Sequence, residues 1–357
     1  MKKVLFIYQN AYSQTGGIQT FNEYFISALE DIKKEQSNFY AELLSIYDDD
    51  KDIKSSLKYT SLNKSKIASF NFVLKNYKKF DTFIFAHVNL APLAMFLKLL
   101  NPKAKIYFCT HGIEIWKKLS KTTEWIMNQS TILTVSNFSK DQLLKYNQNL
   151  NDIRLFPNCI KVKEKIELLD NPYNTDNFNV LSVTRLSEGE KLKGIDSMIR
   201  TLPLLKEKIP NIKYSVIGKG EDTIRLKQLA KDLNVLEYVD FLGFVDDINA
   251  YYQHCDIFSL PSKKEGFGIV YLEAMQYRKP IIAVNYGGAT DVVINNETGF
   301  LCEYNDYESL AENMLILFKD TSLYDKYANN GYDRLINNFT YEKYVSRLKN
   351  ILIEGSK

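Results

Sequence analysis

The chain has 357 residues, of which 45% are hydrophobic and 25% are charged, and its formal net charge is +3. This length corresponds to about two domains, and the composition is typical of a globular protein with a sizeable core. The longest apolar runs fall short of the ~18 residues that a membrane-spanning helix needs, which argues against a transmembrane protein.

Other sequence patterns argue against further classes of protein. The chain opens on the strand-like run KKVLFIY without a leader of charged and then apolar residues, so we expect a cytoplasmic protein. No arginine-rich tract or mixed basic and aromatic stripe indicates nucleic acid binding. The four cysteines form no CxxC pair, so neither a disulfide framework nor a zinc site is expected; they are Cys109, Cys159, Cys255 and Cys302.

Strand-like runs alternate with longer, often amphipathic segments along both halves. Such alternation predicts parallel, doubly wound α/β sheets, and twelve strands predict two Rossmann-like domains. We place the domains at residues 1–170 and 171–339, with the polar stretch 168–179 as the hinge. The runs are VLFIY, AELLSIY, DTFIFAHV, KIYFCTH, TILTVS and DIRLFPN in the first half, and NVLSVTRL, KYSVIG, VDFLGFV, DIFSLPS, PIIAVN and GFLCEY in the second.

The loop NAYSQTGGIQTF follows the first strand and leads into a helical pattern. Gly16 and Gly17 allow the backbone to approach a ligand closely, and the start of the following helix attracts anions. A glycine pair is also common in turns that bind nothing. Further on, Asp48, Asp49, Asp50 and Asp52 form an acidic run without a strand end around it, which we interpret as a solvated loop and not as a metal site.

Three histidines occur, and His111 stands at the end of the strand KIYFCT. An imidazole at this position can donate a hydrogen bond to a sugar hydroxyl or to a departing phosphate. A hydrogen-bonded histidine at a strand end is the structural alternative. His87 is a weaker candidate, for contact with the molecule that would accept the sugar. His254 is predicted to lie on the surface of a helix.

The segment SVTRLSEGEKLKG contains basic side chains that suit a diphosphate ligand. Arg185 ends a strand and offers a fork that matches phosphate oxygens, whereas Lys193 precedes Gly194 at the start of a helical pattern and offers a point charge. Lys191 is an alternative to Lys193. Solvated surface charges are the structural alternative for all three.

Two further loops suit a nucleoside. Gly218 and Lys219 follow one strand, and Phe244 and Val245 follow Gly243 after the next, where backbone groups can contact a base edge beside an aromatic ring. The GxG of this loop lacks the full dinucleotide fingerprint, so NAD binding is not expected.

The densest signal is DIFSLPSKKEGFGIVYLE, residues 256–273. An apolar strand ends at a proline, and glycines lead into a helix whose first N–H groups can hold a diphosphate. Glu265 is predicted on the loop and Glu273 on the helix, roughly 7–8 Å along the axis from Gly268. Taken singly, either carboxylate is more often a solvated charge. Two carboxylates that accept hydrogen bonds on either side of one anion-binding site indicate a nucleotide sugar as ligand.

The pattern E-x7-E in EGFGIVYLE, preceded by LPS and followed by PIIAVNYGG and TGFL, resembles the retaining GT-B glycosyltransferases of family 4. The resemblance implies two facing Rossmann-like domains with the active site in the cleft: an acceptor domain at 1–170 and a donor domain at 171–339. It also implies that the final helix, 340–357, packs on the first domain. Where the family often has proline, asparagine and glycine at the domain boundary, this chain has Cys159 after Pro157 and Asn158.

The family resemblance also assigns roles. It implies catalytic roles for His111 and Glu265, and no requirement for a metal or another cofactor. The donor would contact the residues named above and the start of the helix; the set is Gly16, Gly17, Arg185, Lys193, Gly218, Lys219, Phe244, Val245, Phe267, Gly268, Ile269, Val270 and Glu273.

The implied reaction is transfer of a hexose or N-acetylhexosamine from a UDP- or GDP-linked donor to a glycan or lipid-linked acceptor, with retention of configuration. Two alternatives remain open at this point, an epimerase of the same fold and a non-catalytic nucleotide-sugar-binding protein. Incubation with labelled donors distinguishes them.

The charge is distributed unevenly, because residues 1–170 carry an excess of lysine and arginine and residues 171–357 an excess of aspartate and glutamate. The segment APLAMFLKLLNPKAK places apolar side chains beside Lys98, Lys103 and Lys105. This mixture is typical of a segment that rests on an anionic membrane. A buried helix with lysines at its end fits the same pattern.

Overall fold

The computed structural model describes residues 1–13, 16–49, 54–163 and 165–354. The chain forms two compact units, the first from Met1–Cys159 with Tyr341–Lys357 and the second from Ile160–Thr340. Each unit is built on one parallel sheet with helices in the connections between its strands. The α/β class with two doubly wound units, predicted from the alternating pattern, is confirmed.

The boundary lies earlier than the one predicted after residue 170. The N–H of Ile160 donates to the carbonyl of Phe339 at 3.0 Å, so the chain has entered the second unit by this point. The N–H of Leu169 then donates to the side chain of Gln253 at 2.7 Å. Composition does not reveal such contacts between distant residues. The stretch 168–179 therefore lies within the second unit and does not separate the two.

The substitution of cysteine for glycine at the end of the first unit requires no unusual backbone. Cys159 does not adopt a positive φ angle, so the turn avoids the left-handed conformation that favours glycine. Its side chain is fully buried. The family's glycine is thus replaced by a residue that contributes to the core.

The strands give a seven-stranded sheet in the first unit and a six-stranded sheet in the second. All twelve predicted runs form strands, and one further strand, Lys58–Ser61, lies at the edge of the first sheet. That edge strand is short and partly exposed, so it lacks the apolar signal of the others. The strands are β1 (Lys2–Tyr8), β2 (Phe39–Ser45), β3 (Lys58–Ser61), β4 (Thr82–Phe85), β5 (Lys105–Thr110), β6 (Thr131–Thr134), β7 (Ile153–Leu155), β8 (Phe178–Val183), β9 (Ile212–Ile217), β10 (Val239–Gly243), β11 (Ile257–Leu260), β12 (Ile281–Val284) and β13 (Gly299–Cys302).

Helices lie in most of the connections between consecutive strands, as is usual for parallel pairing. Short 3-10 segments cover Val88–Leu90, Ile113–Ile115, Glu188–Lys193 and Leu236–Tyr238, and a π-helical turn covers Asn350–Glu354. The helices are α1 (Gly17–Glu35), α2 (Lys66–Asn76), α3 (Ala91–Leu100), α4 (Lys121–Asn128), α5 (Asn137–Tyr146), α6 (Ile195–Leu205), α7 (Thr223–Asp232), α8 (Asn249–His254), α9 (Ile269–Gln276), α10 (Ala289–Val292), α11 (Tyr307–Lys319), α12 (Thr321–Asn338) and α13 (Tyr341–Lys349).

The final helix, α13, returns to the first unit and packs on α1. The ring of Tyr344 is fully buried and lies 4.4 Å from the ring of Phe156 and 6.2 Å from that of Phe21, centroid to centroid. At the start of the helix, the Tyr341 hydroxyl donates to Asp31 at 2.8 Å. Aromatic packing thus attaches the end of the chain to its beginning.

Both sheets reverse their strand order once. The order is β3-β2-β1-β4-β5-β6-β7 in the first unit and β10-β9-β8-β11-β12-β13 in the second. At each reversal, between β1 and β4 and between β8 and β11, the connections leave in opposite directions and open a crevice at the carboxyl ends of the strands. Ligands of doubly wound sheets bind there. In the described ranges, no helix has the length and apolarity needed to cross a membrane.

Candidate functional site

The crevice of the second unit brings together loops that are distant in the sequence. β8 and β11 pair in parallel, so the loop with Arg185 and the loop with Glu265 emerge side by side. Lys263 N–H donates to the carbonyl of Leu192 at 2.9 Å, which joins the two loops directly. The predicted cations and the predicted loop carboxylate therefore lie at one edge of the sheet.

Lys193 and Glu265 form an ion pair in this crevice. Lys193 Nζ lies 2.6 Å from Glu265 Oε1, and the two side chains are 16% and 13% exposed. Lys193 Nζ also donates to the carbonyl of Lys264 at 3.3 Å. Lys191, the alternative cation, lies 3.7 Å from the exposed Glu188 instead. Lys193 is thus the lysine that shares its environment with the loop carboxylate.

Arg185 is also paired with a carboxylate. Its Nη2 atom lies 2.5 Å from Glu190 Oε1, while its side chain remains 64% exposed. The second oxygen of Glu190, Oε2, is buried, and no atom in the described part of the chain forms a hydrogen bond with it. An anion that approaches Arg185 therefore competes with Glu190 for the guanidinium group.

The helix after Glu265 begins at a position that requires glycine. Gly268 precedes α9 and has a φ angle of +93°, and a Cβ atom there would lie 2.3 Å from the ring of Tyr271. The side chains of Phe267 and Ile269 are 3% and 9% exposed, so they belong to the core. Val270 is partly buried. At this helix start, a ligand would meet mainly backbone N–H groups, as an anion site requires.

Two glycines that the sequence reasoning did not assign to the site hold Glu265 in place. Gly288 N–H donates to the carbonyl of Glu265 at 2.7 Å. A Cβ atom on Gly288 would lie 2.2 Å from the carbonyl oxygen of Gly266, and one on Gly287 would lie 2.7 Å from that of Glu265. The signal that could have found them is the paired glycine of PIIAVNYGG directly after β12.

Glu273 lies on α9 and is bound by a tyrosine that the sequence did not indicate. The buried hydroxyl of Tyr252 donates to Glu273 Oε2 at 2.7 Å. Burial raises the pKa of Glu273, and the hydrogen bond from Tyr252 opposes this shift only in part. Oε1 makes no hydrogen bond within the described ranges, which leaves an acceptor for a ligand hydroxyl.

The loops after β9 and β10 border the same crevice. Gly218 has a φ angle of +142°, and a Cβ atom there would lie 1.7 Å from the carbonyl oxygen of Thr184 after β8. Lys219 Nζ lies 5.3 Å from the ring centroid of Phe244, whose side chain is 57% exposed. Val245 is partly buried. An exposed ring beside backbone groups is a surface on which a planar base can stack.

In the first unit, the glycine loop lies at the crevice beside β1. Gly16 precedes α1, and a Cβ atom on Gly17 would meet no atom of the described residues within 4 Å, so the space beside Gly17 is open. Asp48 is fully buried, and its carboxylate accepts backbone N–H groups from Ala11 at 2.7 Å and Ser13 at 3.1 Å. The prediction of a solvated acidic run is therefore wrong for Asp48, which holds the loop.

Of the other members of that acidic run, Asp49 is exposed, whereas Asp50 and Asp52 lie outside the described residues. Across the described part of the chain, no group of three or more histidine, cysteine, aspartate or glutamate side chains is arranged to hold a metal.

His111 follows β5, and its ring is bound to the main chain. Its Nε2 atom lies 2.7 Å from the carbonyl oxygen of Ala86, so Nε2 carries the proton and donates. Burial lowers the pKa of His111. Nδ1 then presents a lone pair and accepts a hydrogen bond. In this tautomer, a ligand contact through Nδ1 would use it as an acceptor, and the catalytic role of His111 stays a prediction.

His87 stacks beside His111 at 6.0 Å between ring centroids. Its Nδ1 accepts the N–H of Asn89 at 3.0 Å, and burial lowers its pKa to about 4. His254 lies in the second unit, where its Nε2 contacts the carbonyl of Leu169 at 2.8 Å. The two histidines of the first unit therefore form a stacked pair, whereas His254 contacts the main chain of Leu169.

Residues 166–334 match the family described as glycosyl transferases group 1. The second unit carries a glycosyl transferase group 1 domain. Its matched range contains the paired Lys193 and Glu265, the glycine at the start of α9 and Glu273. The resemblance to glycosyltransferases that the E-x7-E pattern indicates is confirmed.

Curated relatives match part of the chain. An uncharacterized glycosyltransferase of Haemophilus influenzae is 32% identical over 198 residues, which are 55% of this chain and 53% of that protein. The capsular polysaccharide biosynthesis glycosyltransferase CapM of Staphylococcus aureus is 34% identical over 185 residues, 50% of this chain and 46% of that protein. The chain thus spans about half the length of these relatives.

Solved structures match the whole chain. A glycosyltransferase from Rickettsia africae has a TM-score of 0.81 at 19% identity, covering 99% of this chain and 98% of that one. Anabaena HepE, solved in complex with UDP, has a TM-score of 0.78 at 19% identity, covering 99% and 100%. At this identity the likeness concerns the fold, and the predicted GT-B class is confirmed.

We predict that Glu273→Gln stabilises the protein at neutral and alkaline pH. The folded-state pKa of Glu273 lies above the ordinary value of 4.5, so the folded state holds its proton more tightly than the unfolded state. The parent protein therefore loses stability as pH rises from about 4.5 through the raised pKa, whereas glutamine has no charge to bury. Melting temperatures measured from pH 4 to pH 8 should diverge, with the variant higher at pH 8.

The exposed Glu312 on α11 provides the control for this experiment, because Glu312→Gln removes an equal charge from a solvated position. A pH-independent difference between Glu273→Gln and the parent would contradict the prediction.

We also predict that Glu190→Gln tightens binding of a nucleoside diphosphate about 1.4- to fivefold, since an ion pair near the surface contributes ~0.2–1 kcal/mol. The variant frees Arg185 from its competing carboxylate. Calorimetry with UDP and with GDP measures the change. Glu188→Gln is the matched control, because Glu188 is 80% exposed and contacts Lys191 instead. Equal affinities of the two variants would mean that Glu190 does not compete with the ligand.

Proposed function

We propose that the protein is a retaining family 4 glycosyltransferase. It transfers a hexose or N-acetylhexosamine from a UDP- or GDP-linked donor to a glycan or a lipid-linked oligosaccharide. The observation that carries this proposal is the position of Lys193, Glu265 and the start of α9 in one crevice of a glycosyl transferase group 1 domain. Cations and backbone N–H groups beside a carboxylate suit a diphosphate that carries a sugar.

Each part of the donor has a partner in this crevice. The diphosphate binds the N–H groups at the start of α9, with Lys193 and Arg185 neutralising its charge. Glu265 accepts hydrogen bonds from the sugar, and Oε1 of Glu273 accepts them from the ribose. The base lies against the exposed ring of Phe244. The UDP complex of Anabaena HepE supports the choice of a nucleoside diphosphate.

In the proposed reaction, the bond between the anomeric carbon and the phosphate oxygen breaks while the acceptor oxygen bonds to the same face of the sugar. The acceptor proton passes to the leaving phosphate oxygen. Catalysis then depends on positioning and on stabilisation of the leaving charge, and not on a protein nucleophile. His111 belongs to the first unit, where its Nδ1 accepts a hydrogen bond from a hydroxyl of the glycan acceptor.

The acceptor class is the second part of the proposal. The name of CapM, which assigns it to capsular polysaccharide biosynthesis, supports a cell-surface glycan as product. An epimerase of the same fold would instead release an isomerised donor, and a sensor would bind the donor without consuming it. The relatives described above are named glycosyltransferases, which favours transfer over both alternatives.

The decisive experiment incubates the pure protein with radiolabelled UDP- and GDP-sugars and with either lipid extracts or soluble glycans. Label that moves to an acceptor supports the proposal, and NMR of the anomeric centre tests retention. Recovery of an isomerised donor would establish the epimerase. Donor binding without any turnover, across all donor and acceptor combinations, would overturn transferase activity.

Glu265→Gln is expected to lower turnover at least about tenfold, because the substitution removes the charge that holds Lys193 and weakens hydrogen bonds to the reacting sugar. Initial rates and melting curves are measured together. Glu237→Gln is the control, since Glu237 is exposed in the same unit. A turnover equal to that of the control, at an unchanged melting temperature, would remove Glu265 from the mechanism.

We further propose that transfer needs no metal, because Arg185, Lys193 and the start of α9 supply the positive charge that the diphosphate requires. Activity is expected to persist in excess EDTA. The assay compares initial rates with EDTA, without EDTA, and with EDTA followed by excess Mg²⁺ or Mn²⁺. Loss of activity that either ion restores would contradict this proposal.

A further inference from the structure

Helix α2 presents an apolar face to solvent. Ile67, Phe70 and Leu74 recur at the spacing of one helical face and are 76%, 37% and 50% exposed. Next to this exposed face, one turn after Phe70, Val73 is 1% exposed and packs in the core. These three exposed side chains lie on a helix that is otherwise attached to the sheet.

Helix α3 extends this face. The ring of Phe70 contacts the ring of Phe96 on α3, with the centroids 5.3 Å apart. One helical turn beyond Phe96, Leu99 is 67% exposed. We call the side chains of Ile67, Phe70, Leu74 and Leu99 the α2 surface.

The surrounding sequence is strongly basic. Residues 54–113 contain ten lysines and a single carboxylate, Asp81. That carboxylate is occupied, because it accepts hydrogen bonds from the N–H of Lys3 at 2.9 Å and from the hydroxyl of Thr82 at 2.7 Å. The excess positive charge of the first half is therefore concentrated in the part of the chain that forms the α2 surface.

Some of these lysines are neutralised and some are not. Lys79 and Lys58 lie 2.6 and 3.8 Å from Glu42 on β2. Lys64, Lys75 and Lys78 flank α2 and are exposed, and within the described ranges none of them has a carboxylate at ion-pair distance. These three charges lie on or next to the helix that carries the apolar side chains, and they remain available to an anionic partner.

Most of the α2 surface lies outside residues 91–105, the segment that the sequence indicates for membrane contact. In residues 91–105, helix α3 buries Leu93, Ala94 and Leu97 in the core. Lys98 donates to the carbonyl of Ala104 at 3.2 Å, which closes the end of the helix. The buried-helix alternative therefore describes most of that segment. The exposed apolar side chains lie mainly on α2.

We propose that the α2 surface rests on an anionic lipid bilayer. Apolar side chains on one helical face enter the boundary between headgroups and acyl chains, while neighbouring lysines pair with anionic headgroups. A second copy of the chain fits this surface poorly, because a symmetric contact would bring its unpaired lysines together. The contact would place the first unit beside lipid-linked glycans, although it does not depend on transferase activity.

The test is co-sedimentation of the full chain with vesicles, without any nucleotide sugar. At about 0.01 M salt, binding is expected to vesicles of equal parts phosphatidylglycerol and phosphatidylcholine but not to phosphatidylcholine alone. Binding should be lost at about 1 M salt, where charges are screened beyond ~3 Å. Because no donor is present, the two tests are independent. Absence of vesicle binding would not contradict the proposed transferase reaction, and absence of transfer would not contradict vesicle binding.

Two double variants locate the contact. Lys75→Gln with Lys78→Gln is expected to weaken vesicle partitioning at least about tenfold, since each lysine near an anionic surface contributes ~1 kcal/mol. Ile67→Ser with Leu74→Ser is expected to weaken it to a similar extent through lost apolar burial. All four side chains are exposed, so melting temperatures and UDP affinity should be unchanged.

Matched controls come from the second unit. Ile224→Ser removes an apolar side chain that is 80% exposed, and Lys208→Gln with Lys231→Gln removes two exposed charges. These variants should bind vesicles like the parent. Absence of vesicle binding at low salt, or an equal loss in the control variants, would overturn the proposal. Self-association without lipid that Ile67→Ser with Leu74→Ser abolishes would overturn it in favour of a protein contact.

Discussion

The crevice of the second unit depends on one constraint. Its backbone segments approach each other so closely at certain glycines that no Cβ atom fits there. A Cβ atom on Gly194 would lie 2.2 Å from the carbonyl oxygen of Pro261, and one on Gly218 would lie 1.7 Å from that of Thr184. Gly288 approaches Gly266 in the same way. These contacts join the loops after four strands, so the charged groups on those loops keep fixed positions, and a ligand meets a preorganised site.

The charges in this crevice are balanced before any ligand arrives. Lys193 is paired with Glu265 and Arg185 with Glu190, so no cation that the donor would need lies buried without a partner. Isolated buried charges are costly, and pairing lowers this cost. A diphosphate would then exchange one anionic partner for another. Under the proposed function, selectivity for the donor would depend on how the crevice holds its own carboxylates as well as on its cations.

Much of this architecture could be predicted from the sequence, because parallel strands buried on both faces are continuous apolar runs and the E-x7-E pattern marks the crevice. The edge strand β3 could not, since it is short and partly exposed. The sequence also did not reveal that Asp48 is buried, that Tyr252 binds Glu273 or that Ile160 joins the second unit. Each of these depends on a partner distant in the chain, and local patterns carry no information about such partners.

The return of α13 to the first unit has a consequence for the order of folding. During synthesis the sheet of the first unit emerges early, but Tyr344, which packs against Phe21 and Phe156, is made only after the entire second unit. Until then the aromatic surface on α1 lacks its cover. Once the second unit folds, Ile160 and Thr340 lie side by side in a parallel bridge, which shortens the effective connection to α13. Folding of the second unit therefore reduces the entropy cost of completing the first.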